Sequence, residues 1–309
     1  MTQLLKSFSI LISTKNRIED LKLTLDKIKY LIDREDVECI ICDDGSKDGT
    51  SDYVRSNFPK IILHSNPKSK GYLYSRNKML NETKAEFAIS LDDDAHFVTD
   101  NPLEIISNFF NQNPSVGLVG LRIYWSKQIP NAIESNQTPI RMKSFVGCAH
   151  VWRVSAWKDI PDYPEWFVFY GEEDFASYHL FKKNWDIYYL PVILVNHRVD
   201  ILARKKDKDY GLRLRRSLCS GWNLYFLFIP LHLIPRKMMY SIWMQFKLKV
   251  FKGDWRALAA IVLALVDLVK SFPNILKNRN TLSSDEFLLY QSLPDTRIYW
   301  KPTDETYKI

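Results

Sequence analysis

Along the first hundred residues, short β-rich runs alternate with amphipathic stretches. Residues 8–13, 38–43, 61–64 and 87–91 have the length and the Ile, Leu and Phe content of strands buried in a sheet. Between the first two runs, Ile18, Leu21, Leu25, Ile28 and Ile32 recur at three- and four-residue spacing, which marks one buried face of a helix. Tyr72, Met79 and Leu80 sit in a second helical segment that ends near Lys84. Further along, the pattern predicts a helix over 102–110, a strand over 117–123, a polar loop over 126–138 and a strand over 144–151. A helix from about 172 to 183 and a strand over 187–195 follow. Strands separated by helical crossovers point to an α/β fold, a mainly parallel sheet flanked by helices.

Beyond residue 200 the texture changes. A basic stretch, 204–210, and the group Arg213, Arg215 and Arg216 lead into an aromatic, apolar run over 221–230, and a second basic group follows at Lys247, Lys249 and Lys252. The longest uninterrupted apolar run here, 257–266, ends at Asp267. It is well short of the roughly 20 residues needed to cross a bilayer, so no transmembrane helix is expected. Two readings stay open for this region: an interfacial helix pair with Lys and Arg toward anionic lipid, or a helical appendage packed on the first domain, with a homodimer as one way of covering it. The division expected is 1–200 for an α/β domain and 201–309 for a basic, aromatic-rich helical region.

Composition sharpens that division. With 46% hydrophobic residues, 14% aromatic residues and four Cys, a disordered chain and a disulfide scaffold are excluded. The net charge of +7 hides a split, net −3 over residues 1–200 and net +10 over 201–309. Cys39 and Cys42 flank Ile40-Ile41 in a strand-like run, so they should face opposite sides of it as free thiols. The apolar start is broken at Lys6 without a cleavage-site pattern, which places the expected location in the cytoplasm, with peripheral contact at the inner face of the cell membrane left open. Asn81 and Asn136 head formal glycosylation acceptor triplets and are read as coincidence in that setting.

The chemistry gathers where strands end. Asp92, Asp93 and Asp94 follow the run 87–91 directly, and adjacent carboxylates repel unless a cation compensates them. The alternative is a solvated acidic turn. Asp43 and Asp44 close the run 38–43 ahead of a glycine-containing turn, where a carboxylate can accept from a ribose hydroxyl or a pyrimidine imide, or simply cap the turn. In an open α/β sheet, ligands collect at these carboxyl ends.

Five segments together, 9–16, 41–50, Gly71 with Arg76 and Asn77, 91–94, and 171–174, resemble the inverting family 2 nucleotide-sugar glycosyltransferases of the GT-A fold, over about residues 7–200. The resemblance implies a nucleobase and ribose pocket from Ser13, Asp44 and Arg76 with Asp43 in support. It further implies contact of Asp92 with the ribose and of Asp94 with a divalent metal, Mg²⁺ or Mn²⁺. Asp93 fills the variable middle position, and a one-residue shift in which Asp93 and Asp94 act together stays open. His197 matches a position that touches metal or diphosphate in many such enzymes. Asp174 is the implied base that deprotonates an acceptor hydroxyl, at a helix start whose dipole favours an ionised carboxylate; Glu173 would orient it or touch the acceptor. Trp166 or Tyr170 would line the acceptor site, and residues 147–150 would wall the donor-sugar pocket. A UDP- or dTDP-sugar donor and a saccharide or lipid-linked saccharide acceptor are expected, in cell-surface polysaccharide or glycolipid synthesis, without a nucleic-acid partner.

Two alternatives stand beside this. A sugar nucleotidyltransferase would need a Gly-rich phosphate loop after the first strand, and residues 13–17 contain no Gly. A nucleic-acid- or membrane-binding protein built on a non-catalytic domain of the same fold would use the basic region alone.

Overall fold

The computed structural model describes residues 6–131, 133–199, 209–298, 300 and 301. The first half contains β1 (Phe8–Thr14), α1 (Ile18–Lys27), α2 (Lys29–Ile32), β2 (Val37–Asp43), α3 (Thr50–Asn57), β3 (Ile62–Ser65), α4 (Tyr72–Glu82), β4 (Phe87–Asp92), β5 (Ala95–Phe97) and α5 (Pro102–Gln112). Next come β6 (Val116–Trp125), β7 (Ile140–Met142), β8 (Ala149–Arg153), α6 (Val154–Lys158), α7 (Glu172–Lys182) and β9 (Asp186–His197). The C-terminal part is helical: α8 (Tyr210–Phe228), α9 (Ile234–Leu248), α10 (Trp255–Asn278) and α11 (Ser284–Ser292).

All nine strands join one sheet, in the order β3-β2-β1-β4-β8-β6-β9-β5, with β7 also on β9. The half built from β1 to β4 is parallel. Beyond β4 the pairing is mixed, because β8 runs antiparallel to both β4 and β6 while β6 and β9 are parallel. The expected parallel sheet is therefore the first half of a mixed one. The period-two geometry of a strand sends successive side chains to opposite faces. In β1, Ile10 and Ile12 join the core that holds Leu21, Leu25 and Ile106, whereas Leu11 joins the core that holds Trp152, Phe175 and Phe228. Cys39 and Cys42 divide in the same way between the two faces, and all four cysteines are free.

Three local expectations change. The apolar stripe from Ile18 to Ile32 is continuous, but the backbone breaks at Ile28 into α1 and α2. The strand expected over 144–151 forms only as β8, and residues 144–148 leave the sheet as a loop. The apolar run that stops at Asp267 in the sequence lies inside a helix of 24 residues, because Arg215 of α8 donates to both Asp267 oxygens and meets the charge. By length and composition alone α10 could cross a membrane.

The basic stretch 204–210 falls largely on residues outside those described, as does the expected boundary at 200. What is described of the C-terminal part packs on the first domain: Tyr178 of α7 stacks between Phe228 and Tyr290, at centroid distances of 4.6 and 4.5 Å. Leu218, Trp222 and Ile261 share one apolar core with Trp152 and Phe175.

Gly45 turns the chain after β2 with φ +80°, and a Cβ there would lie 2.9 Å from the Ser69 amide nitrogen. Both strain and contact penalise any side chain. Gly45→Ala should destabilise the protein by about 1–3 kcal/mol, read as a shift in the urea unfolding midpoint.

Candidate active site

Strand ends and one helix start converge on a cavity of about 950 Å³ whose lining includes Tyr72, Asp92, Gly147, Glu173, Asp174 and His197. Asp92 is the last residue of β4 and lies in register with Ser13 of β1. His197 is the last residue of β9. The hydrophobic strands carry these polar groups to the sheet edge as their apolar parts fill the core.

Arg76 ties the site together. Its Nη2 donates to Asp92 Oδ1 at 2.8 Å and to the Gly147 carbonyl at 2.7 Å. Tyr72, one turn earlier on α4, lies against the guanidinium with 4.4 Å from the ring centroid to Cζ. The Asp92 amide donates to the Cys148 carbonyl at 2.9 Å, so the 144–148 loop is pinned to the end of β4 at two points.

The other carboxylates of the triplet are held by Arg17, which precedes α1. Its Nη1 is 3.1 Å from Asp93 Oδ1 and its Nη2 is 2.6 Å from Asp94 Oδ2. Burial pushes Asp93 up to about 7 in spite of Arg17. Against the same burial, His197 and Arg17 hold Asp94 below the usual carboxylate range. His197 Nε2 lies 3.0 Å from Asp94 Oδ1 and 3.8 Å from Asp92 Oδ2.

A divalent metal fits this donor set. Asp92, Cys148 and His197 each bring a ligand atom within 4.8 Å of the others; Asp94, expected at the metal, lies outside that group, with its oxygens on His197 and Arg17. A carboxylate and an imidazole are ligands that Mn²⁺ accepts.

The residues expected at the nucleotide separate into two groups. Ser13, Arg76 and Asp92 gather at the carboxyl ends of β1 and β4, and Asp43 keeps spare capacity, accepting from the Ser46 amide and the Ser51 hydroxyl. Asp44 accepts from Asn66, Ser69 and the amides of Lys70 and Gly71, which together engage all four lone-pair sites of the carboxylate. It organises the 66–71 loop rather than presenting a free oxygen to a base. Asp93, buried under Thr14 and Arg17, is not among the residues lining the cavity.

At the start of α7 the three acidic side chains diverge. Glu172 is buried, and its Oε2 has no hydrogen-bond partner among the described residues. Glu173 reaches Gly147: a Cβ on that glycine would lie 2.6 Å from Glu173 Oε1. Burial together with the neighbouring Glu172 charge pushes Glu173 well above the usual carboxylate range. Asp174 faces Ser144 and Lys143 instead, and desolvation at the cavity wall raises it more modestly. The turn that aims these groups is strained, with positive φ at Val168, Tyr170 and Gly171, a conformation rarely adopted by a β-branched residue such as Val168.

Of the two aromatic residues considered for the acceptor site, Tyr170 lines the cavity, and Trp166 packs edge-on against Phe167 and the apolar core. His96 lies elsewhere, 2.9 Å from Arg198, with its imidazole pushed down to about 4 by burial. Sequence reading gave no role to Arg17, Tyr72 or Glu172. Arg17 follows the first strand, and the carboxyl-end rule could have found it; Cys148 was read only as part of the 147–150 wall, and only the fold brings its thiol to Asp92.

Residues 9–165, just over half of the chain, match the sequence profile of glycosyl transferase family 2. The chain belongs to glycosyl transferase family 2. No curated protein sequence matches this family 2 glycosyltransferase significantly. Among solved structures it resembles GalNAc-T7 with UDP, GalNAc and Mn²⁺, at TM-score 0.57 and 14% identity, over 73% of this chain and 48% of that one. The mannosyltransferase PcManGT from Pyrobaculum calidifontis, in complex with GDP-Man and Mn²⁺, gives 0.52 at 15% identity, over 93% and 79%. S. aureus TarS gives 0.52 at 15% identity, over 72% and 40%. The family 2 chain thus spans about half or less of two of these proteins, and at such identities the likeness is one of fold.

Gly147→Ala should force the Glu173 carboxylate to swing away while leaving the core untouched. The expected result is a rate of glycosyl transfer lowered about tenfold or more, with the thermal midpoint moved by no more than about 3 °C.

Proposed function

We propose that the protein is a metal-dependent, inverting glycosyltransferase that moves a sugar from a nucleoside-diphosphate sugar to an acceptor hydroxyl. The observation that carries this reading is the convergence of Asp92, His197 and Glu173 on one cavity, with Gly147 between the Arg76 and Glu173 side chains. Asp43, Ser13 and Asp92 lie along the edge where base and ribose would bind, and Arg76 sets the orientation of Asp92. A divalent ion held by Asp92 and His197 beside Cys148 would supply the positive charge that a departing diphosphate needs.

Glu173 is the base in this reading. It accepts the proton of the acceptor hydroxyl as that oxygen attacks the anomeric carbon from the face opposite the leaving group. A new C–O bond forms, the bond from the anomeric carbon to the diphosphate breaks, and the nucleoside diphosphate leaves with the electron pair. Asp174, the base expected from the sequence pattern, becomes a residue of the acceptor side, next to Lys143 and Tyr170. A raised carboxyl suits proton abstraction, since a stronger base takes the proton more readily once it is itself ionised.

The presence of UDP in GalNAc-T7 and GDP-Man in PcManGT, each with Mn²⁺, supports a nucleotide-sugar donor and a divalent ion. A UDP- or dTDP-sugar fits the imide-accepting carboxylate of Asp43. Saccharide or lipid-linked saccharide acceptors are the substrate class, in the synthesis of surface polysaccharide or glycolipid.

Glu173→Gln should lower turnover by about a hundredfold or more with nucleotide affinity retained, whereas Asp174→Asn should lose less than about tenfold; the reverse order would return the role to Asp174. Turnover should fall as pH drops through the raised Glu173 pKa, so the acid limb should lie above the ordinary Glu value of about 4.3 and change in the Gln variant. Chelation should abolish turnover, and Mn²⁺ or Mg²⁺ should restore it.

A further inference from the structure

The C-terminal helices have two faces, and only one is used by the fold. On α10, Ala257, Ile261, Ala264, Leu268 and Ile275 are buried against the rest of the molecule. The opposite face is also apolar: Trp255, Val262, Val266, Val269 and Leu276 repeat at helical spacing and are all exposed, Trp255 at 70% and Val269 at 73%. A stripe of this kind running the length of a helix about 36 Å long is far larger than the scattered exposed apolar residues of an ordinary surface.

The surroundings of the stripe say what covers it. At its N-terminal end Trp243 packs edge-on against Phe251, with 5.9 Å between centroids, and both are exposed beside Trp255. Lys247, Lys252 and Arg256 are exposed in the same stretch, and Lys270 and Lys277 flank the other end. Exposed aromatic rings with a cationic rim around an aliphatic face match the boundary of an anionic bilayer, where rings sit at headgroup level and the charges meet lipid phosphate. A second copy of the same face would bring the same positive rim, in a region of net charge +10, and like charges would oppose each other. Nor can lipid surround α10, because its inner face is packed and Asp267 is ion-paired to Arg215 of α8. These contacts suit a helix that lies on the surface of a bilayer, not one that crosses it.

The position of the stripe ties it to the cavity. α8 and α10 run side by side in the same direction: Tyr210 lies 5.9 Å from the Arg256 guanidinium at their starts, and Phe226 meets Phe272 toward their ends. The first two turns of α8 also supply Leu212, Arg213 and Arg216 to the cavity lining. The aromatic, basic end of the stripe is thus next to the cavity mouth.

We propose that the exposed face of α9 and α10 docks the protein on an anionic lipid bilayer, bringing the mouth of the active-site cavity to the headgroup layer. Docking is independent of the chemistry proposed for the site, so either can fail without the other.

Flotation of the full chain with vesicles separates the outcomes. The protein should float with phosphatidylcholine vesicles containing about 30% phosphatidylglycerol, far less with phosphatidylcholine alone, and less in about 0.5 M salt. Replacing Val262, Val266 and Val269 together by Asn should lower the floated fraction about tenfold while the melting curve and nucleotide binding are kept. The Lys247→Glu, Lys252→Glu, Arg256→Glu variant should lose the preference for anionic vesicles; it decides the matter if the valine variant does not fold. Failure of the wild-type chain to float at low salt overturns the proposal. So does a stable dimer by light scattering that the valine variant converts to monomer, since the face would then belong to a second copy.

Discussion

Three adjacent carboxylates at the end of one buried strand are the constraint around which this molecule is arranged. Asp92, Asp93 and Asp94 cannot all be ionised and close together in a low-dielectric setting unless cations and hydrogen-bonding partners reach them. Arg76 comes from α4, Arg17 from the turn after β1 and His197 from the end of β9, so segments distant in sequence meet at one point. The same contacts that neutralise the charge also fix the geometry, because Arg76 holds the 144–148 loop through Gly147 as it holds Asp92.

That arrangement distributes work among residues that look alike in the sequence. Of the carboxylates at the ends of β2 and β4 and the start of α7, some face the cavity and some hold the scaffold. Asp44 stabilises a loop with its whole acceptor capacity, and Asp93 is pinned between Thr14 and Arg17. Asp92, Glu173 and Asp174 remain open to the cavity. Adjacent positions diverge this far because each peptide unit turns the side chain: by half a revolution on a strand and by about 100° on a helix. Glu172 is therefore buried, Glu173 reaches Gly147 and Asp174 faces Lys143.

The C-terminal helices extend the same logic to the exterior. Their inner faces complete the core beneath α7, where Tyr178 is held between Phe228 and Tyr290. Their outer faces keep apolar side chains that no part of the described chain covers. A helix that is apolar all round has two demands to satisfy, and packing on α8 satisfies one.

Much was determined by the sequence alone. Periodicity is a local property, so the longer elements, the two-faced strands and the acidic strand ends were legible from residues 8 to 197, though the short β5, β7 and α6 were not, and the order of the motifs was enough to indicate the family. What the sequence could not determine was contact between segments. Residues 144–148 read as strand because their apolar content is right, yet the close approach of Glu173 and the pull of Arg76 take them out of the sheet. Asp267 read as the end of an apolar run because its partner, Arg215, lies on another helix. The motif order picks out the acidic helix start, but the direction in which each of Glu172, Glu173 and Asp174 points depends on the strained turn before it and on the loop opposite. In each case a long-range partner, invisible in local pattern, set the direction of a side chain or the end of an element, and only the folded chain brings such partners together.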